Sequence, residues 1–175
     1  MAYLYLLSII LANILTAMFA PVHLGIFLIP VGTLLIGATF IFRDLVQNKY
    51  GKKKTYFLIV VALCISALSS YLLGDSLFVV CASALSFIIS ETTDTEIYSR
   101  LKLAMEYRIL YSGLVGGLLD SSIFVLIALS PIFTGILTWP MVPYAILGQI
   151  IFKSIVQFIG VYLVKPYIYR NRSSY

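Results

Sequence analysis

One carboxylate, Asp120, lies near the middle of an almost purely hydrocarbon stretch, GLVGGLLDSSIFVLIAL, residues 113–129. A lone amine, Lys153, lies at a similar depth in the next apolar stretch. A charge at the centre of a membrane-spanning helix costs roughly 2.5–3.5 kcal/mol on insertion scales. We therefore expect both side chains to face the interior of a helix bundle. There they either form an ion pair that only holds two helices together, or line a cavity that binds a polar molecule.

Further polar side chains favour the cavity. Gln149, Lys153 and Gln157 are spaced four residues apart and so share one helix face. Asn13 adds an amide in the first apolar stretch, although a single Asn can equally hold two helices together. A similar but weaker stripe in the fourth stretch consists of Ser83, Ser86, Ser90 and Asp94.

The elements that must position these residues are membrane-spanning helices. The 175 residues are 61% hydrophobic and 11% charged, whereas a soluble domain is about a quarter charged. A bilayer core needs roughly 20 apolar residues per helix. Six stretches meet this requirement, at residues 3–20, 24–42, 55–73, 77–93, 109–130 and 142–164. We predict an all-α polytopic membrane protein, a bundle of six transmembrane helices that forms one domain over residues 1–175.

The direction of the spans follows from the Lys and Arg residues. Eleven of the twelve fall on one side if both termini are cytoplasmic, and the opposite loops contain none. This asymmetry explains the net charge of +5 without a nucleic-acid partner. The eleven are Arg43, Lys49, Lys52, Lys53, Lys54, Arg100, Lys102, Arg108, Lys165, Arg170 and Arg172.

Acidic residues near the predicted cytoplasmic face form a second group. Arg43 and Asp44 follow the second span, and Glu91 and Asp94 lie one turn apart in the fourth. The simplest interpretation is helix-end charge near the lipid headgroups. Adjacent residues point in different directions on a helix, so we expect no mutual pair between Arg43 and Asp44. The remaining acidic residues, Asp75, Glu96 and Glu106, are predicted to be solvated loop charges.

Sequence signals for enzymes are missing. The chain has no GxSxG, HExxH or Walker motif, and Cys64 and Cys81 lie in apolar runs without metal-binding spacing. We expect no enzymatic activity, no cofactor and no metal site.

Four segments resemble the queuosine precursor transporter family, the YhhQ-type or vitamin uptake transporter (VUT) group. They are IFRDLVQNKYGKK, SALSFIISETTDTEIYSRLK, GLVGGLLDSSIFVLIA and GQIIFKSIVQF, in the family's order over about residues 25–165. The resemblance implies a carrier in the bacterial inner membrane that takes up 7-cyano-7-deazaguanine and 7-aminomethyl-7-deazaguanine. It implies motif positions at Asp44, at Glu91 and Asp94, at Asp120, and from Gln149 to Lys153.

The chemistry of such a substrate fits the polar residues. The ring N–H and exocyclic amine of a deazaguanine form a two-donor edge, which a carboxylate such as Asp120 or Glu91 accepts in a bidentate pair. Its acceptors suit Lys153, Gln149 or Asn13. The predicted substrate-binding residues are Asn13, Asp44, Glu91, Asp94, Asp120, Gln149 and Lys153. A site dominated by Lys153 is expected to prefer the neutral cyano compound over the cationic aminomethyl compound.

Two functional interpretations stay open. The chain is either a self-sufficient secondary transporter or the substrate-binding membrane subunit of an energy-coupling factor transporter, driven by separate ATPases. Such subunits dock through small residues spaced four apart, and the first span offers Ala12, Thr16 and Ala20. The expected partners are a purine-like small molecule and the lipid bilayer, with a homodimer left open.

Overall fold

A computed structural model describes residues 1–25 and 27–172, and the side chains of residues 23, 28 and 167–172 lie outside the description. Within this part, six α-helices follow one another, with a short β-hairpin between the first two. The elements are α1 (Ala2–Met18), β1 (Val22–Leu24), β2 (Phe27–Ile29), α2 (Thr33–Tyr50), α3 (Lys52–Leu72), α4 (Leu77–Arg100), α5 (Met105–Phe124) and α6 (Val142–Arg172). A five-residue π-helical segment, Val125–Leu129, continues α5, and a 3-10 turn, Trp139–Met141, precedes α6.

Four helical segments are long and apolar enough to cross a membrane: Lys52–Leu72, Leu77–Arg100, Met105–Leu129 and Trp139–Pro166. Helix α1 is apolar but shorter, at 17 residues. Large apolar side chains such as Phe57, Leu72 and Tyr162 are exposed, while the charged side chains of the helical core are buried. This is the reverse of a water-soluble protein, and it identifies a membrane protein whose apolar outer surface meets lipid.

The described chain is all-helical in class, as predicted, apart from the short β-hairpin. This hairpin changes the bounds of the second helix, which covers residues 33–50 instead of the predicted 24–42. Strand β1 (Val22–Leu24) pairs antiparallel with β2 (Phe27–Ile29), with Val22 opposite Ile29 and Leu24 opposite Phe27. Gly25 has a φ of +61° at the turn, a conformation that favours glycine. The apolar run therefore packs as two strands, and β2 lies against α6.

Helix α2 is the central helix of the bundle. It contacts all five other helices, and its connection to α3 is the single residue Gly51, with a φ of +81°. Its 18 residues include Arg43, Asp44 and Lys49, so it is less apolar than its neighbours. A helix that other helices surround needs no apolar outer face, which explains how α2 can be polar in a membrane protein.

Candidate functional site

The two mid-span charges, Asp120 and Lys153, form a buried ion pair. The Nζ atom of Lys153 donates to Asp120 Oδ2 at 2.7 Å, to Ser121 Oγ at 2.7 Å and, at the limit of hydrogen bonding, to Gln149 Oε1 at 3.5 Å. These three acceptors match the three donors of an ammonium group. We call Asp120, Ser121, Gln149 and Lys153 the Lys153 cluster. The ion pair between Asp120 and Lys153, one of the two arrangements expected from the sequence, is therefore present between α5 and α6.

The polar face of α6 points into the bundle, as its spacing predicted. Gln149, Lys153 and Gln157 are all nearly fully buried. The Nε2 atom of Gln157 donates to the backbone oxygen of Ile109 at 2.8 Å, which links α6 to α5. The long polar side chains of this face are thus placed against other helices and away from lipid.

Glycines on α5 make room for these buried polar side chains. A Cβ atom at Gly113 would overlap the amide of Gln157, and one at Gly116 would lie 3.1 Å from the Cβ of Asp94. A Cβ at Gly117 would be in ordinary contact with Lys153. Close helix packing explains the glycines that precede Asp120.

A second buried cluster surrounds Arg43. Its guanidinium contacts Asp94 directly, Asp44 Oδ1 at 3.1 Å and Glu91 Oε2 at 3.4 Å, and donates to Thr95 Oγ1 at 2.6 Å. The three carboxylates and the guanidinium are at most 1% exposed. We call Arg43, Asp44, Glu91 and Asp94 the Arg43 cluster.

The Arg43 cluster corrects the assignment of these residues to a helix end. Helix α2 continues to Tyr50, so Arg43 lies well inside it and is a core residue, not a loop charge. The expectation that Arg43 and Asp44 do not pair was also wrong. An arginine side chain is long and flexible enough to turn back to its neighbour while its other nitrogens reach α4.

Two cavities lie between the helices and connect the clusters. The first, of about 580 Å³ including its open mouth, is lined by residues from the α1–α2 and α3–α4 regions together with Asp120, Phe124 and Gln149. The second, of about 380 Å³ counted in the same way, reaches Glu91 and Phe87. The residues shared by both linings are Asn13, Ile36, Ser83 and Asp120.

Asp120 is the point where the cavities and the Lys153 cluster meet. Its side chain is 11% exposed while that of Lys153 is 3% exposed, so the carboxylate faces the cavities and the amine lies behind it. Gln149 also lines the first cavity. It is 3% exposed, and its Nε2 atom has no hydrogen-bond partner among the described residues. A buried amide donor without a partner is costly and commonly marks a place for a water or a ligand.

The seven predicted site residues divide into two sets. Asn13, Glu91, Asp120 and Gln149 line the described cavities, whereas Asp44, Asp94 and Lys153 do not. Lys153 bonds Asp120 directly, and the two aspartates contact Arg43, which in turn contacts Glu91. Asn13 also links α1 to α3, because its Nδ2 donates to Ser69 Oγ at 2.6 Å and to Ser66.

Sequence reasoning missed several lining residues. Asp75 is partly exposed in the α3–α4 connection, as predicted of a loop charge, but it also accepts a hydrogen bond from Ser70, and both residues line the first cavity. The sequence signal for a polar lining here was the group of serines on α3, at positions 66, 69 and 70. Two of them, Ser66 and Ser69, accept hydrogen bonds from Asn13. Phe40 lines the second cavity and was also missed.

Two further aromatic side chains, Phe87 and Phe124, line the cavities. Glu96, predicted to be a loop charge, is in α4 and pairs with Lys52 at 2.6 Å and Arg100 at 3.4 Å. Within the described part of the chain, no three His, Cys, Asp or Glu side chains are arranged to hold a metal ion.

The site can therefore hydrogen-bond a small, flat polar molecule. Asp120 offers acceptors, Gln149 offers a donor, and Phe124 and Phe87 offer apolar faces.

A model of the family described as "Putative vitamin uptake transporter" matches residues 30–167, well over half of the chain. No curated protein and no solved structure gives a significant match.

Proposed function

Because the chain belongs to the vitamin uptake transporter family, we propose that it carries a 7-deazaguanine precursor of queuosine into the cell across the bacterial inner membrane. The family match spans α2 to α5 and most of α6, and these helices contribute most of the cavity lining. The choice of substrate is supported by the four sequence segments that resemble queuosine precursor transporters and by the chemistry of the cavities.

The observation that carries the proposal is the position of Asp120. It lines both cavities, and Lys153 balances its charge from behind. The carboxylate thus has a cationic partner inside the bundle while part of it remains accessible. In our proposal it accepts two hydrogen bonds from the ring N–H and the exocyclic amine of the deazaguanine, the edge that distinguishes guanine-like rings.

The remaining lining residues have complementary roles in this proposal. Gln149 Nε2 donates to the carbonyl oxygen of the ring and so gains the hydrogen-bond partner that it lacks among the described residues. The ring packs between Phe124 and Phe87, and Asn13 and Glu91 complete the polar contacts. Asp44, Asp94 and Lys153 act indirectly, because they hold Arg43 and Asp120 in place.

We favour a self-sufficient carrier over a subunit that depends on separate ATPases. Of the three small residues of the first predicted span that would serve such docking, Ala12 is buried within the chain, which interrupts the row, whereas Thr16 and Ala20 are exposed. Uptake into liposomes by the purified chain alone tests this choice. Uptake that requires added ATPase subunits would establish the alternative.

The experiment for the substrate uses bacteria that cannot synthesise 7-cyano-7-deazaguanine. Queuosine in their tRNA reports uptake of the supplied compound. We expect queuosine with the intact chain and at least a tenfold loss with Asp120→Asn, which keeps the shape but replaces one acceptor by a donor and removes the charge that Lys153 balances. The matched control is Glu96→Gln, which removes a carboxylate from a partly exposed ion pair and should leave uptake unchanged.

Membrane levels of all variants are measured alongside. Queuosine from Asp120→Asn at the level of the intact chain would return Asp120 to a purely structural role. No queuosine from the intact chain, at normal membrane levels, would mean a different substrate or a missing ATPase partner.

A further inference from the structure

The lining of the two cavities carries only one sign of charge. Among the residues described as lining them are three carboxylates, Asp75, Asp120 and Glu91, and no Lys, Arg or His. Lys153 lies behind Asp120 and is 3% exposed, and Arg43 is fully buried within its cluster. A ligand in the cavities therefore meets negative charge directly and positive charge only through other side chains.

The buried charges of the core are also unequal. Arg43 and Lys153 face the four carboxylates Asp44, Glu91, Asp94 and Asp120, so the two bases leave an excess of two formal negative charges. Such an excess is relieved by protonation of a carboxylate or by a bound cation, whereas a bound anion would add to it.

Asp75 provides a place for a cationic group. It lies at the α3–α4 connection and lines the first cavity, whose described lining does not include Glu91. Its carboxylate accepts a hydrogen bond from Ser70 Oγ, and its backbone N–H donates to the backbone oxygen of Ser70 at 3.2 Å. These two bonds hold the carboxylate in the lining. Asp75 is therefore an acidic group fixed in the wall of a cavity that is also lined by Gln149, whose Nε2 atom has no hydrogen-bond partner among the described residues.

From this distribution we propose that the site prefers planar heterocycles that carry a primary ammonium group, and that Asp75 is the residue that binds the ammonium. The inference rests on the proposed function and specifies it: 7-aminomethyl-7-deazaguanine is the preferred substrate, and 7-cyano-7-deazaguanine binds more weakly. It reverses the preference expected from Lys153 in the sequence, because Lys153 does not reach the described lining of either cavity. In this arrangement Asp120 hydrogen-bonds the guanine-like edge, and Asp75 binds the ammonium of the substituent at the 7-position.

The test measures binding of three compounds to the purified full-length chain in detergent. The compounds are the aminomethyl form, the cyano form and 7-hydroxymethyl-7-deazaguanine, which has nearly the size of the amine but no charge. We expect the amine to bind at least about tenfold more tightly than either neutral compound, corresponding to about 1.4 kcal/mol. The preference should decrease as salt is added, because screening weakens the attraction between the ammonium and the carboxylates.

The variant Asp75→Asn keeps the size of the side chain and removes the charge. We expect it to weaken binding of the amine about tenfold and to leave the neutral compounds within about twofold. Ser76→Ala, which removes the adjacent helix-capping hydroxyl but no charge, serves as the matched control and should affect all three compounds equally.

The outcomes separate this inference from the proposed function. If none of the three compounds binds, the proposed function fails. If they bind but the amine has no advantage, only the preference for a cation fails. If the intact chain prefers the amine and Asp75→Asn weakens all three compounds equally, the ammonium site is not at Asp75. Should Asp75→Asn not fold, the compound series and its salt dependence in the intact chain still decide the preference.

Discussion

At the scale of single residues, the molecule depends on charges that are buried in pairs or clusters. The ammonium of Lys153 and the guanidinium of Arg43 each satisfy several acceptors at once. Burial of one charge costs several kcal/mol, so each group is tolerated only because its partners are in place. The same partners leave Asp120 and Glu91 at the walls of cavities, where a ligand can reach them.

We predict that Lys153→Met destabilises the protein more than the double variant Lys153→Met with Asp120→Leu. The single substitution leaves a buried carboxylate without its partner, which costs about 3–5 kcal/mol, whereas the double substitution replaces the pair by apolar groups. Thermal unfolding of the detergent-solubilised variants measures the difference. Equal melting temperatures for the single and double variants would show that Asp120 is solvated without Lys153.

At the scale of elements, α2 and α5 are shaped for close contact. Helix α2 lies in the middle of the bundle and carries the Arg43 cluster to α4, and the glycines of α5 allow α2, α4 and α6 to approach. The hairpin of β1 and β2 precedes α2 and packs against α6, where Gly148 leaves room for Phe27. The polar groups meet because these backbones come close together.

Substitutions at two glycines should differ in their effects. A Cβ at Gly32 would overlap the backbone oxygen of Ala12, which cannot move without shifting α1. A Cβ at Gly113 would overlap the end of the Gln157 side chain, which can rotate away and lose one hydrogen bond of about 0.5–1.5 kcal/mol. We therefore predict that Gly32→Ala lowers the melting temperature more than Gly113→Ala.

Chemical denaturation of both variants checks this order, and the Gly113→Ala, Gln157→Ala double variant is the control. Removal of the side-chain amide should abolish most of the additional cost of the alanine at position 113. A larger loss for Gly113→Ala than for Gly32→Ala would mean that α5 and α6 pack more rigidly than the contacts indicate.

At the scale of the whole molecule, polar groups lie inside and apolar groups outside. Exposed Phe57, Leu72, Tyr162 and Leu163 face outward, while the clusters and cavities lie between the helices. Because lipid cannot hydrogen-bond the backbone or solvate charge, this arrangement suits a bilayer. The positions of Lys and Arg predict which end faces the cytoplasm.

We predict that the end with the α2–α3 and α4–α5 connections is cytoplasmic. Single cysteines at Lys53 and Ile132, in a chain with Cys64→Ala and Cys81→Ala, test this orientation in intact cells. A membrane-impermeant thiol reagent should label Ile132→Cys, in the exposed α5–α6 connection, and should label Lys53→Cys only after the cells are broken. Labelling of Lys53→Cys in intact cells would reverse the orientation.

The sequence by itself determined the membrane class, the number of helices and the buried polar face of α6. Each of these follows from local information: apolar length, and side-chain spacing on a helix of 3.6 residues per turn. The segments that resemble queuosine precursor transporters also indicated the family before any contact was known. The sequence also suggested the pairing of Asp120 with Lys153, because both charges lie near the middle of their spans. A charge at that depth of a bilayer needs a partner at the same depth, and few residues can provide one.

The tertiary structure decided those features that depend on contacts between residues far apart in the sequence. The hairpin at residues 22–29 is as apolar as a helical span, and only its packing against α6 distinguishes the two. Arg43 looked like a helix-end charge because its three carboxylates come from residue 44 and from α4, and hydropathy does not report contacts between separate helices. The position of Asp75 in a cavity lining was hidden for the same reason: the residues that line a cavity depend on which helices are neighbours, and that is a property of the whole bundle.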